Sequence, residues 1–145
     1  MKTRIFRSVR RGFTLIELMV VILILAILAS IVVPRVVNRA SDAKVTKAKS
    51  DINTLSQSLN QFRLDNDRYP STEEGLQALR LQPADTNNWK GPYIEKDVPL
   101  DPWGNAYIYE FPGTAGPDSF TLMTYGSDGA PGGEGESADI SEADL

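Results

Sequence analysis

Carboxylates and glycines are what this chain of 145 residues offers as chemistry. Histidine and cysteine are both absent. That removes the commonest general base, every Ser–His or Cys–His dyad, disulfides and thiolate zinc sites. Carboxylate hydrolysis needs an acid and a base held as a pair, and the nine acids from Glu95 to Asp139 show no such pairing in their spacing. A membrane-tethered hydrolase is therefore disfavoured, and the chain reads as a non-enzyme. One group of acids does have a pattern. Asp128, Glu134, Glu136, Ser137 and Asp139 lie within 12 residues, interleaved with Gly126, Gly129, Gly132, Gly133 and Gly135. Calcium takes roughly six to eight oxygens from carboxylates and carbonyls, and glycines let a backbone curl so that carbonyls turn inward. The spacing is not that of an EF-hand. The same composition describes a disordered acidic tail, and composition alone leaves both readings open.

A second carboxylate poses a different question. Glu17 sits near the start of a greasy run, in "RRGFTLIELMVV". From Leu18 to Val33 there is no charge, and Ser30 is the one polar residue. Counted from Phe13 the stretch is 21 residues, about 30 Å as a helix, which matches a bilayer core. Lys2, Arg4, Arg7, Arg10 and Arg11 precede it, which places the short N-terminal tail in the cytoplasm and the remainder outside. A conventional cleaved secretory signal needs a shorter core and a small-x-small cut site; Ile27-Leu28-Ala29 and Leu28-Ala29-Ser30 match that poorly. A plain anchor fits the length but leaves Glu17 unexplained, because an ionised carboxylate in hydrocarbon costs several kcal/mol unless paired. An uncut chain can hold it at the interface. A cut after Gly12 gives Phe13 a free ammonium about one helical turn away, on its own chain or a neighbour's. A buried pair of that kind sets register more than it adds stability.

These groups need elements to position them. Val45, Ala48, Ile52, Leu55, Leu59 and Phe62 recur at spacings of three and four, an apolar stripe on a helix that continues past Pro34 and packs on a sheet. A proline there removes one backbone bond and bends the axis. The helix should stop near Asp65-Asn66-Asp67, with Pro70 just beyond. Ser71 and Glu74 form a capping box for a small helix that buries Leu76 and Leu79. Pro102 and Gly104 mark a tight turn into a strand over residues 106–111, and a Gly/Pro-rich loop leads to a second strand over 119–125, with a further short strand around 92–94. Phe120 and Leu122 share one face of the second strand, and Met123 and Tyr125 the other. Trp89, Trp103, Tyr107 and Tyr109 read as sheet packing rather than a sugar platform. The fold class is α+β, with an antiparallel sheet laid on the amphipathic half of one long helix.

"RGFTLIELMVVILILAILASIVVP" resembles the type III signal and N-terminal helix of type IV pilins and type II secretion pseudopilins. "GPYIEKDVPLDPWGNAYIY" and "YGSDGAPGGEGESADI" are similar to the major pseudopilins of type II secretion. The absence of cysteine agrees, since type IV pilins usually carry a C-terminal disulfide loop. The resemblance implies a pilin-like fold whose long N-terminal α-helix is half transmembrane and whose C-terminal loop binds Ca2+. It implies cleavage between Gly12 and Phe13 by a prepilin peptidase, N-methylation of Phe13, and Glu17 as the assembly glutamate. For the metal it implies Asp128, Asp139 and the carbonyl of Tyr125. Where that family often has a further acid, this chain has Ser137-Ala138, so Ser137, Glu136 or water takes that place. The usual Gly-Asn-Trp continuation is replaced by Ser141-Glu142-Ala143.

The implied organisation is a cleaved leader over 1–12, a hydrophobic transmembrane and assembly half-helix over 13–34, and a periplasmic domain over 35–145. The implied function is a structural subunit of a periplasmic filament that drives exoproteins across the outer membrane. Its implied partners are further copies of itself, minor pseudopilins, the prepilin peptidase and the inner-membrane assembly platform. The competing reading is a type IV or minor pilin used for adhesion or DNA capture. A chain starting at Phe13 carries 10 basic and 19 acidic residues, a net charge of −9, which argues against nucleic acid as a partner.

Overall fold

The computed structural model describes residues 12–145, apart from the side chains of residues 31–38. The leader, except Gly12, lies outside the described residues; at Pro34, where a bend is expected, the backbone stays helical. The chain divides into two compact units, one ending at Arg39 and one running from Ala40 to Leu145. One helix, α1 (Leu15–Asn66), contributes to both.

In the first unit α1 starts at a cap. The Glu17 backbone N–H donates to Thr14 Oγ1 at 3.2 Å, which satisfies one of the unpaired donors of the first turn. Glu17 is the acidic residue of that turn, where negative charge suits the helix dipole. Beyond it the helix is apolar on all sides. The large apolar residues from Phe13, just ahead of the helix, to Leu28 are all exposed in the isolated chain, from Val21 at 44% to Phe13 at 80%. Ser30 Oγ donates back to the Ile27 carbonyl at 2.7 Å, so the one polar side chain of the run is satisfied within the helix. Among the described residues, no helix is long and apolar enough to cross a membrane.

In the second unit the stripe does what its spacing predicts. Ala48, Ile52, Leu55, Leu59 and Phe62 are at most 2% exposed, with Val45 packed at the margin. They meet Leu76, Ala78 and Leu79 and the inner face of the sheet, Tyr107, Tyr109, Leu122 and Ile140. The helix ends at Asn66, and Asp67 takes a left-handed conformation, φ 56°. Its N–H donates to the Arg63 carbonyl at 2.8 Å, which closes the last turn. Helix and sheet are also tied by polar contacts. Tyr69 OH donates to Asn60 Oδ1 at 2.7 Å, and Tyr107 OH to Asp51 Oδ2 at 3.2 Å. Tyr109 OH donates to the Pro70 carbonyl at 2.7 Å. Burial raises the Tyr107 and Tyr109 hydroxyls well above the usual phenol range, so both stay protonated donors.

The sheet has three antiparallel strands in the order β1 (Ile108–Glu110), β2 (Thr121–Thr124), β3 (Ile140–Ser141). Tyr109 pairs with Leu122, and Thr124 with Ile140. The strands are shorter than the alternation predicts, because flanking residues make turn contacts instead: Ala106 forms an isolated bridge with Leu100. No strand forms at 92–94. The Tyr93 N–H is taken by the Leu79 carbonyl at 2.7 Å, so that segment pairs with the short helix rather than the sheet. The short helix is a 3-10 turn, Gly75–Leu79. The capping box before it forms as expected: Glu74 N–H donates to Ser71 Oγ at 3.2 Å, and Ser71 N–H to Glu74 Oε2 at 2.7 Å.

Arg68 grips the same Glu74 with two parallel bonds of 2.7 Å. That guanidinium, helped by the Ser71 N–H, holds the Glu74 carboxyl below its ordinary value of 4.5. A carboxyl depressed by folding stabilises fully above its unfolded value and loses that contribution as pH falls through the folded one. The melting temperature should therefore drop as pH falls below 4.5. Arg68→Ala should remove most of that acid-side slope and lower the melting temperature at pH 7 by roughly 5 °C. Thermal melts of both chains across pH 2–7 check this, and an unchanged acid limb in the variant refutes it.

Candidate functional site

The acidic, glycine-rich segment is the connection between β2 and β3. It leaves the sheet at Tyr125 and returns at Asp139, so its ends are held by the Thr124–Ile140 pair. Inside it two 3-10 turns form, Gly126–Asp128 and Gly135–Ser137. This is an ordered loop rather than a tail. Two glycines make the curl possible. Gly126 has φ +69°, and a Cβ there would lie 2.4 Å from the Glu136 carbonyl oxygen and 3.0 Å from that of Ala138. Gly133 has φ +85°, and a Cβ there would lie 2.3 Å from the Ser137 carbonyl oxygen. Three successive carbonyls, of Glu136, Ser137 and Ala138, thus close on the two glycine backbones.

The expected site residues divide by what their side chains do. Asp139 accepts the Gly132 N–H on both carboxylate oxygens at 3.0 Å. Asp128 Oδ1 accepts the Ala130 N–H at 3.1 Å. The Ser137 hydroxyl meets that of Ser127 at 2.8 Å and ties the two turns together. Tyr125 precedes the first turn, so its carbonyl belongs to the same connection. Glu136 brings its carbonyl to Gly126, while its side chain makes no hydrogen bond or ion pair among the described residues. No group of three acidic side chains converges on one point among the described residues. The loop therefore offers carbonyls with Asp128 and Asp139 rather than a knot of carboxylates. That all-oxygen set suits a hard cation such as Ca2+ and not zinc.

A neighbouring turn braces the loop, and sequence reading found only part of it. Pro102 and Gly104 do turn the chain, but the anchor is Asp101, 4% exposed. Its Oδ1 accepts the N–H groups of Trp103 at 3.0 Å and Asn105 at 2.7 Å, and its Oδ2 accepts the Thr124 hydroxyl. Asn105 Nδ2 then donates to the Gly126 carbonyl at 3.0 Å. An Asp followed by Pro and Gly is the sequence signal for a side chain bonding back to its own turn. On the other side Glu142 Oε2 accepts the Leu122 N–H at 2.9 Å, and Asp144 caps Ser141 through its N–H and hydroxyl at 2.9 and 2.8 Å.

The N-terminal candidates share one end of α1. Gly12 and Phe13 precede the helix, without regular secondary structure, and among the described residues nothing comes within 4 Å of the position of a Gly12 Cβ. Glu17 lies in the first turn, exposed. Thr14, its cap, went unnoticed in the sequence although Thr-x-x-Glu is a helix-start signature.

Comparison with known proteins covers nearly all of the described chain. Residues 35–143 match the family model described as type II secretion system protein G, and residues 7–33 match the prokaryotic N-terminal methylation motif. The type II secretion system core protein G of Pseudomonas aeruginosa is 48% identical over 141 residues, covering 95% of this chain and 98% of that protein. Its namesake in Vibrio cholerae is also 48% identical, over 132 residues, covering 89% and 88%. The crystal structure of the major pseudopilin from the type 2 secretion system of enterohaemorrhagic Escherichia coli superposes with a TM-score of 0.63. It is 36% identical, covering 79% of this chain and 98% of that one.

The glycine cradle gives a graded test. Gly126→Ala meets both a left-handed φ that side chains rarely adopt and the Glu136 carbonyl, so it should open the loop and cost roughly 2–4 kcal/mol. Gly132→Ala has a positive φ of +97° but nothing within 4 Å, so it should cost only about 1 kcal/mol. Urea unfolding of the two variants, with limited proteolysis mapped to 125–139, reads the difference; equal effects would refute the cradle.

Proposed function

The chain belongs to the type II secretion system protein G family, and from that premise we propose how it works. It is a structural subunit of the pseudopilus that drives type II protein secretion, and it catalyses nothing. The observation that carries the reading is the pairing, on one chain, of a methylation motif and bare apolar half-helix with a self-contained protein G unit. Before assembly the apolar half of α1 rests in the inner membrane as a single span. The prepilin peptidase cuts the Gly12–Phe13 bond, just ahead of the helix, and methylates the new amine. The ordered unit faces the periplasm. Extracted on to the assembly platform, each subunit buries its apolar half against its neighbours, with minor pseudopilins as further partners.

Glu17 supplies the rule for that packing. In hydrocarbon its carboxylate is tolerated only with a countercharge, and cleavage creates one on every subunit. A neighbour's ammonium on Glu17 fixes the stagger between copies. The filament so built would extend through the periplasm and push folded exoproteins toward the outer-membrane channel. Glu17→Ala should leave membrane insertion and processing intact while filament yield falls at least about tenfold. Membrane fractionation, mass spectrometry of the N-terminus and electron microscopy of sheared filaments measure the three steps. Normal filaments in the variant would refute the rule, and a native chain still starting at Met1 would refute the processing.

We further propose that Ca2+ sits in the β2–β3 connection. Asp128, Asp139 and the Tyr125 carbonyl would hold it, with Ser137 or Glu136 completing the set. The support is the all-oxygen donor set and the glycine-shaped curl. The ion would supply charge neutralisation and bracing, not chemistry. A site filled at a hundredfold over its Kd contributes about 2.7 kcal/mol, so chelation should lower the melting temperature by roughly 10 °C and speed cleavage within residues 125–139. A melting temperature unmoved by chelator would overturn the assignment.

A further inference from the structure

The edge of a sheet leaves backbone donors and acceptors to be satisfied by something other than a strand. β1 is an outer strand of this sheet. Two bonds show which way its groups point. The Thr72 hydroxyl accepts the Phe111 N–H at 2.9 Å and donates to the Phe111 carbonyl at 3.0 Å, so Phe111 faces away from β2. On β2 the Leu122 N–H leaves toward the β3 side, to Glu142 Oε2. Tyr109 lies two residues before Phe111 and opposite Leu122. Backbone groups alternate sides along an antiparallel strand, so the Tyr109 N–H and carbonyl also point outward. Neither has a hydrogen-bond partner among the described residues. Tyr109 is 8% exposed, and a donor and an acceptor at that depth call for partners.

Both belong to the wall of a cleft of about 340 Å³, which Thr72, Gly75, Leu76, Val98 and Leu100 also line. Thr72 occupies the edge at Phe111, and Leu100 bridges Ala106 at the other end. What stays open is the edge of one residue, with one N–H and one carbonyl. Its complement is one residue of an extended chain, which exchanges two bonds with it in an antiparallel bridge. We propose that the outer edge of β1 at Tyr109 takes up an extended segment of another protein, in which a basic residue is followed by an aliphatic one. The aliphatic residue pairs with Tyr109, and its side chain falls on the Tyr109 face of the sheet, where Leu76 and Val98 line the cleft. The preceding residue then stands opposite Glu110 on the other face. Glu110 is exposed, and its side chain has no ion pair among the described residues, so a basic side chain complements it. A second copy does not supply the segment from its ordered unit. There Lys44, Lys47, Arg63 and Arg80 precede aliphatic residues, but all lie in α1 or in the turn that closes the short helix, where the backbone is already bonded. The inference goes beyond the filament reading and does not depend on it.

The test uses the full-length processed protein in detergent micelles, labelled with nitrogen-15, and a capped glycine–lysine–valine–glycine–glycine peptide as the probe. The Tyr109 amide signal should shift saturably. Methylating the valine nitrogen removes one of the two bonds and should weaken binding about tenfold. Replacing lysine by glutamate should weaken it about threefold, and Glu110→Lys should reverse that preference. No saturable shift at Tyr109 up to about 10 mM peptide would overturn the proposal. Equal binding of the methylated peptide would overturn it too, since the cleft would then hold a side chain without pairing a strand. An unaltered preference in Glu110→Lys would remove the charge complement, and with it the stated partner. If detergent titrated without peptide gives the same Tyr109 shift, the cleft takes up lipid-like chains and the proposal fails.

Discussion

Apolar helix surface has to be covered, and α1 carries more of it than this chain can cover. A large aliphatic side chain left in water forgoes about 1.5–3 kcal/mol. From Phe13 to Leu28 such side chains stand bare around the whole circumference of the helix. A helix apolar all round belongs in lipid or inside a larger assembly. Lipid alone satisfies the leucines and isoleucines but not Glu17. In the proposed assembly, packed copies would satisfy both, since each would bring apolar surface and, once cut, a cation. On that reading the same segment has two homes, and the carboxylate is what makes the second preferable to the first.

From Ala40 onward the constraint is met internally. Ala48, Ile52, Leu55, Leu59 and Phe62 are buried by the unit's own short helix and sheet. Three strands of two to four residues would be marginal alone; the helix stripe gives them a core. Polar contacts then fix the arrangement. Buried Tyr107, just before β1, reaches Asp51 on the helix, and Tyr69, just after α1, reaches back to Asn60; a guanidinium–carboxylate pair locks the corner between α1 and the short helix. These ties are directional where apolar contact is not.

Legibility followed the range of the interactions. The α1 stripe, its stop at Asn66 and the Ser71–Glu74 cap depend on residues three or four apart, and periodicity exposes them. The carboxylate Asp101 depends on Thr124, far along the chain, so the sequence suggested a turn but not its buried anchor. β3 was missed because two residues carry no alternation to read. The segment at 92–94 looked like a strand because its partner, the Leu79 carbonyl, is a helix terminus rather than a sheet edge. In the loop, the glycine pattern indicated a curl, but which carboxylates turn inward is decided by contacts such as Asp139 with Gly132. Composition weighs all four acids alike.

That division of the acids bears on how firmly the loop is held. Closing a connection of 15 residues, Tyr125 to Asp139, costs about 2.4 kcal/mol in chain entropy beyond a constant. Two β2–β3 register pairs hold its ends, where each hydrogen bond returns about 1 kcal/mol. Its remaining supports are local: Asn105 on Gly126, Ser127 on Ser137, and Asp139 on Gly132. A loop held by so few contacts is sensitive to anything that binds only its closed form, such as a cation among its carbonyls.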